Sequence, residues 1–107
     1  MIVKNQEAAE HPADPGVFRK ILSYAPGMMA VEMRFEKGAA GALHNHPHEQ
    51  IGYVVRGRFE LTLEGKMHLL ATGDSYYVKP DAVHGVVALE DGVLLDVFSP
   101  MRQDFLL

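Results

Sequence analysis

The sequence predicts an all-β, single-domain jelly-roll β-barrel. Three observations predict it: short apolar runs that alternate with period two, turn residues that separate them at intervals of roughly 8 to 12 residues, and no stretch with helical periodicity. The chain has 107 residues, the size of one domain.

Residues 1–16 are polar and include His11, Pro12, Asp14, Pro15 and Gly16, so an irregular N-terminal arm is expected there, with the barrel over 17–107. The first apolar run is Val17 to Tyr24, closed by Pro26 and Gly27. In the next, Met29, Val31, Met33 and Phe35 alternate with Ala30, Glu32 and Arg34. A loop is expected around Lys37, Gly38 and Gly41, followed by a strand from Gln50 to Val55 that ends at Gly57. Phe59, Leu61 and Leu63 alternate with Glu60, Thr62 and Glu64, the pattern of a half-buried strand. A turn at Gly65-Lys66 leads to a run in which Met67, Leu69 and Ala71 continue the alternation, and Gly73-Asp74 turns again. Ser75 to Val78, Val83 to Leu89 and Val93 to Phe98 complete about eight strands, with Asp91-Gly92 reading as a hairpin turn between the last two. Val93 to Val97 is apolar on both faces, as expected of a strand held between the barrel interior and a second subunit.

Composition narrows the function. Apolar residues make up 48% of the chain, enough for a core, although a domain this small buries only about two-thirds of its unfolded surface and gains from pairing. The absence of cysteine excludes disulfides and thiolate metal sites. A formal net charge of −4 argues against a nucleic-acid partner, which calls for a basic face. No apolar run reaches membrane-spanning length, and residues 1–10 lack the basic-then-apolar order of a secretion signal; a cytoplasmic protein is expected.

Three of the six histidines crowd into His44-Asn45-His46-Pro47-His48. On an extended chain, residues two apart share a face, so His44 and His46 can converge on one ion; parity adds Gln50 if the chain stays extended through Pro47. Read alone, this pair fits a solvated histidine-rich loop equally well. His84 follows Pro80-Asp81-Ala82-Val83 on a distant strand. His48 is expected to turn outward beside Pro47, and His11 and His68 to lie on polar surfaces. Asp96 interrupts the apolar run Val93-Leu94-Leu95-Asp96-Val97-Phe98, and a buried carboxylate costs several kcal/mol unless paired. It is either a structural aspartate bonded to backbone or a site residue. Phe98 shares its face, and Arg102 follows at the mouth of the last strand, where an arginine fork can be merely solvated or can hold a carboxylate.

Gly38 to His46, followed by Gln50 and Gly57, resembles the first motif of the cupin family (Gly, five residues, His-x-His, three or four residues, Glu, six residues, Gly). Gly73 to His84 resembles the second, with Ala82 where Gly is usual and Ala88 where Asn is usual. The resemblance implies a cupin barrel holding one divalent ion (Ni, Zn, Mn, Co or Fe) through His44, His46, Gln50 and His84. Gln50 stands where the family usually has glutamate, which leaves the ion's charge uncancelled and favours Lewis-acid work. Gly41 to His44, His46 to Gln50 and the tail Gly92 to Pro100 further resemble the KdgF family of pectin-degradation proteins. That resemblance implies conversion of cyclic 4,5-unsaturated uronates, the products of pectin and alginate lyases, into the linear 4-deoxy-5-keto uronate. It implies roles for Asp96 (catalytic), Arg102 (catalytic and substrate-binding) and Phe98 (substrate-binding). A small-molecule uronate is the expected partner, with a homodimer as the assembly. The competing expectations are a metal-dependent cupin dioxygenase, a non-catalytic small-ligand-binding cupin and a storage or structural barrel.

Overall fold

Period-two alternation resolves into two antiparallel sheets in the computed structural model, which describes residues 1–107. Ten strands follow in order: β1 (Glu10–Asp14), β2 (Val17–Ala25), β3 (Met28–Phe35), β4 (Ala40–His44), β5 (Glu49–Arg56), β6 (Phe59–Leu63), β7 (Lys66–Leu70), β8 (Ser75–Val78), β9 (His84–Ala88) and β10 (Gly92–Ser99). The six-stranded sheet runs β1-β2-β3-β10-β5-β8 and the four-stranded sheet β4-β9-β6-β7. Only two short 3₁₀ turns, Asn5–Glu7 and Gln103–Leu106, interrupt the all-β pattern. Strands β8 and β10 bury alternate residues as expected: in β10, Gly92, Leu94, Asp96 and Phe98 point inward.

The sheets pack face to face. Val17, Phe35, Val54 and Leu94 from the larger sheet meet Phe59, Leu61, Val86 and Ala88 from the smaller one. Phe35 and Phe59 form the centre, edge to face with centroids 5.2 Å apart. A second cluster of Met29, Val31 and Phe98 supports the end of the barrel near the C-terminus.

Four expectations change. The N-terminal arm is not wholly irregular: Glu10–Asp14 forms β1, pairing with β2, and Glu10 bonds Arg34 of β3 at 2.7 Å. The segment around Gly41 is also a strand, β4. The Asp91-Gly92 turn makes no hairpin, because β9 and β10 belong to different sheets and the turn crosses between them. Finally, Met67 and Leu69 do not continue the inward face; they are 65% and 73% exposed. The β6–β7 loop is Glu64-Gly65, not Gly65-Lys66, with positive φ at both residues, as a tight two-residue hairpin requires. That one-residue difference pairs Leu63 with Lys66 and Leu61 with His68, so every β7 side chain changes face relative to the alternation expected.

The corrected register is testable. Phe59→Ala should lower the free energy of unfolding by about 3–5 kcal/mol, whereas Leu69→Ala should stay within about 0.5 kcal/mol of wild type. Chemical denaturation measures both, and comparable losses would contradict the register.

Candidate metal centre

His44 ends β4 and His84 begins β9, and the two are direct cross-strand partners. Their rings lie 4.3 Å apart by centroid. The chain leaves β4 after His44 and bends through Asn45 to His48, so His46 reaches the cluster from a loop and not from an unbroken extended segment. The Asp81 N–H donates to the His46 carbonyl at 2.8 Å and ties this loop to the one preceding β9. Gln50 arrives from β5 in the opposite sheet. The donor atoms of His44, His46 and His84 all lie within 4.8 Å of one another.

The hydrogen-bond pattern shows what this cluster can hold. Each ring donates its Nδ1–H to a backbone carbonyl: His44 to Ala42 at 2.8 Å, His46 to His48 at 3.1 Å and His84 to Ala82 at 2.9 Å. A carbonyl only accepts, so Nδ1 bears the proton and every neutral ring presents a bare Nε2. Gln50 Nε2 donates to Asp96 Oδ1 at 3.0 Å, which turns the amide oxygen toward His46. That oxygen lies 3.0 Å from His46 Nε2, lone pair against lone pair. The buried Nε2 of His84 has no partner at all. Burial holds His84 down to about 4 and also lowers His46, so neither ring relieves the crowding by taking a proton near neutrality. A cation does relieve it: two donors about 2.0–2.2 Å from one ion and at right angles are separated by about 3 Å. The four residues therefore fit a divalent metal, and three imidazoles with one amide oxygen accept nickel, zinc, manganese, cobalt or iron. His48 lies outside the cluster, stacked edge-on against Phe98 with centroids 6.4 Å apart.

The cluster opens into a cavity of about 330 Å³ between the sheets, lined among others by Arg19, Tyr76, Asp96, Phe98 and Arg102. Asp96 is only 8% exposed, and burial raises it to about 7, opposed by the Gln50 hydrogen bond and the charge of Arg102. Phe98 packs edge-on against His46 at 5.6 Å. Arg102 lines the cavity, but its fork is not free as the sequence led us to expect. Nε and Nη2 bond Asp104 at 3.1 and 2.9 Å, which leaves Nη1. Sequence reasoning missed Tyr76. Asp96, Gly52 and Tyr76 form one cross-strand row over β10, β5 and β8, and a Cβ at Gly52 would stand 2.2 Å from the Tyr76 ring. An isolated glycine within a strand is the signal that could have found this close approach. Burial of the Tyr76 phenol raises it well above its ordinary value, so it stays protonated.

The chain matches the Cupin_2 family of cupin domains over residues 31–98. It is 48% identical over 93 residues to the pectin degradation protein KdgF of Dickeya dadantii, covering 85% of this chain and 84% of that one. The structure of KdgF from a Halomonas species superposes with a TM-score of 0.94 at 43% identity, covering 98% of this chain and 97% of that one. An RmlC-like cupin from Shewanella frigidimarina gives 0.94 at 38% identity, covering 97% and 94%.

Asp96 makes stability pH-dependent. Its carboxyl titrates near 3.8 when unconstrained and near 7 in the fold, so between those values the folded state holds the proton that the unfolded chain has lost. Asp96 thus contributes stability that is full below the lower value and lost as pH rises through the upper one. Relative to Asp96→Asn, the metal-free wild type should lose stability between about pH 4 and pH 7 in urea denaturation; parallel pH curves would contradict this.

Proposed function

The chain is a cupin of the KdgF family, and from that membership we propose that it opens cyclic 4,5-unsaturated uronates to their linear 4-deoxy-5-keto form. One observation supports this above others: the carboxyl of Asp96, poised near neutrality, hydrogen-bonds the amide whose oxygen completes the donor cluster. A proton-transfer group and a cation-holding site are thus joined through one side chain. The cavity, at the small end of the roughly 300–1,000 Å³ range of ligand pockets, suits a monosaccharide and not a polymer.

His44, His46, Gln50 and His84 hold one divalent ion. When bound, that ion supplies positive charge to stabilise the negative charge that develops on the substrate oxygens. The substrate is an anion, and Arg102, at the cavity wall, draws its carboxylate toward this positive side. Phe98 forms an apolar wall against the sugar ring. Ring opening breaks the C1–O5 bond, removes the proton of the anomeric hydroxyl and adds a proton at C4, so the reaction is an isomerisation with no net proton change. Asp96, with its value near 7, both donates and accepts in that range. Hydration of the double bond followed by collapse of the hemiketal gives the same product with the same group moving the protons. The neutral amide at Gln50 fits this Lewis-acid chemistry better than it fits a dioxygenase.

The reading includes a cytoplasmic homodimer. No helix is long and apolar enough to cross a membrane. The outer face of the six-stranded sheet exposes Ile51, Tyr53, Val55 and Tyr77 beside the half-buried Val93, Leu95 and Val97, a contiguous apolar surface of the kind a second copy covers.

Two outcomes are expected. Metal-loaded protein should accelerate the loss of ultraviolet absorbance from a lyase-generated unsaturated monouronate. Chelation should abolish that activity, as should Asp96→Asn with metal uptake retained. An Asp96→Asn variant with full turnover would remove the acid–base role. Light scattering should give twice the chain mass, falling to the single mass in Tyr53→Glu; a monomeric wild type would contradict the dimer.

A further inference from the structure

Arg19 stands on β2 two residues beyond Val17, on the side that faces the interior. Its side chain lines the cavity with Asp96 and Arg102, yet makes no hydrogen bond to the protein. Its Nε is buried without a partner. The guanidinium carbon lies over Phe105, 3.7 Å from the ring centroid, and Arg102 places its own guanidinium carbon 4.1 Å from the same centroid. Two cations therefore share one aromatic ring at the cavity wall. Asp104 and Asp14 offset part of this charge, but burial and the charge of Arg102 outweigh them and lower the Arg19 guanidinium from its ordinary value. Asp104 is engaged by both arms of the Arg102 fork, and Asp14, which also lines the cavity, makes no ion pair with Arg19. Desolvating a guanidinium beside another of the same sign is costly unless an anion joins them. The cation–π contact with Phe105 uses the face of the guanidinium and leaves its in-plane N–H groups, including the buried Nε–H, without an acceptor.

We propose that Arg19 is the carboxylate anchor of the cavity, binding the acid group of the sugar together with the free Nη1 of Arg102. The inference rests on the uronate reading above and deepens it: Asp104 occupies the fork of Arg102, so Arg19 supplies the planar pair of donors that a carboxylate fits. Selectivity for uronates over neutral sugars then resides in β2, outside the two cupin motifs.

Arg19→Met keeps an unbranched stem over Phe105 and removes the charge; Arg19→Lys keeps the charge and removes the fork. For Arg19→Met, KM for the unsaturated uronate should rise about tenfold to a hundredfold, with kcat changed less than about threefold and the thermal midpoint nearly unmoved. Arg19→Lys should fall between that variant and wild type. Calorimetric titration of metal-loaded protein with glucuronate, which cannot react, should show the same loss, whereas methyl glucoside should bind all forms equally. An unchanged KM, or equal losses for the acid and the neutral sugar, would overturn the anchor. If wild type fails to turn over the unsaturated uronate, the functional reading falls by itself. The titration still judges Arg19: weaker glucuronate binding in Arg19→Met upholds the anchor, and equal or absent binding in both forms overturns it. Should Arg19→Met not fold, Arg19→Lys decides by the same two measurements.

Discussion

Four lone pairs aimed at one point constrain everything around them. Three imidazoles and an amide oxygen repel one another until a cation sits between them, so the fold must hold them together at its own expense. It does so with backbone. The carbonyls of Ala42, His48 and Ala82 each accept an Nδ1–H and fix the ring that bears it. Two of the three carbonyls, Ala42 and Ala82, lie two residues before their histidine, so the strand end and the ring orientation are set by the same short segment. The β4–β9 pairing puts His44 opposite His84, and the Asp81–His46 backbone bond keeps the intervening loop from withdrawing His46. Such preorganisation would let a metal bind without first ordering its ligands.

The two-sheet sandwich then decides what the cluster faces. Because Gln50 belongs to the larger sheet and the histidines to the smaller sheet and its loop, the cluster bridges the layers at the end of the barrel. The row Asp96–Gly52–Tyr76 runs beside it across three neighbouring strands. Removal of a side chain at position 52 makes room for the tyrosine ring, so a packing vacancy on one strand shapes the cavity floor on another.

Much of this was legible from residue order. Alternation located the inward face of β10 and therefore Asp96, and motif spacing brought His84 to His44 and His46 across forty residues of intervening chain. What escaped was set by geometry that single positions do not encode. The face of β7 depended on which two residues formed a hairpin loop, and one residue reversed it. Strand β1 is polar and gains its place by pairing along an edge, which leaves no apolar signature. The occupied fork of Arg102 depends on a 3₁₀ turn that brings Asp104 back beside it. Arg19, by contrast, was visible in principle. It breaks the inward series of Val17, Arg19 and Ile21 just as Asp96 breaks that of Leu94 and Phe98, and an ionisable residue on an interior face is the same physical anomaly in both strands.

The amide at position 50 links the two halves of the site in a way the usual glutamate would not. Gln50 turns its oxygen toward the histidine cluster and its N–H toward Asp96, so one planar group adds a donor atom to the cluster and a hydrogen bond to the carboxyl at once. An ionised glutamate there would have no hydrogen to offer Asp96. Two carboxyls would then face each other within a buried space, and they would share a single proton or force one of them to ionise at a cost. The charge of that glutamate would also cancel part of the ion's own, weakening the pull on substrate oxygens. With an amide at position 50, Asp96 has no second carboxyl to share its proton with: burial raises it to about 7, and the Gln50 hydrogen bond holds it from rising further.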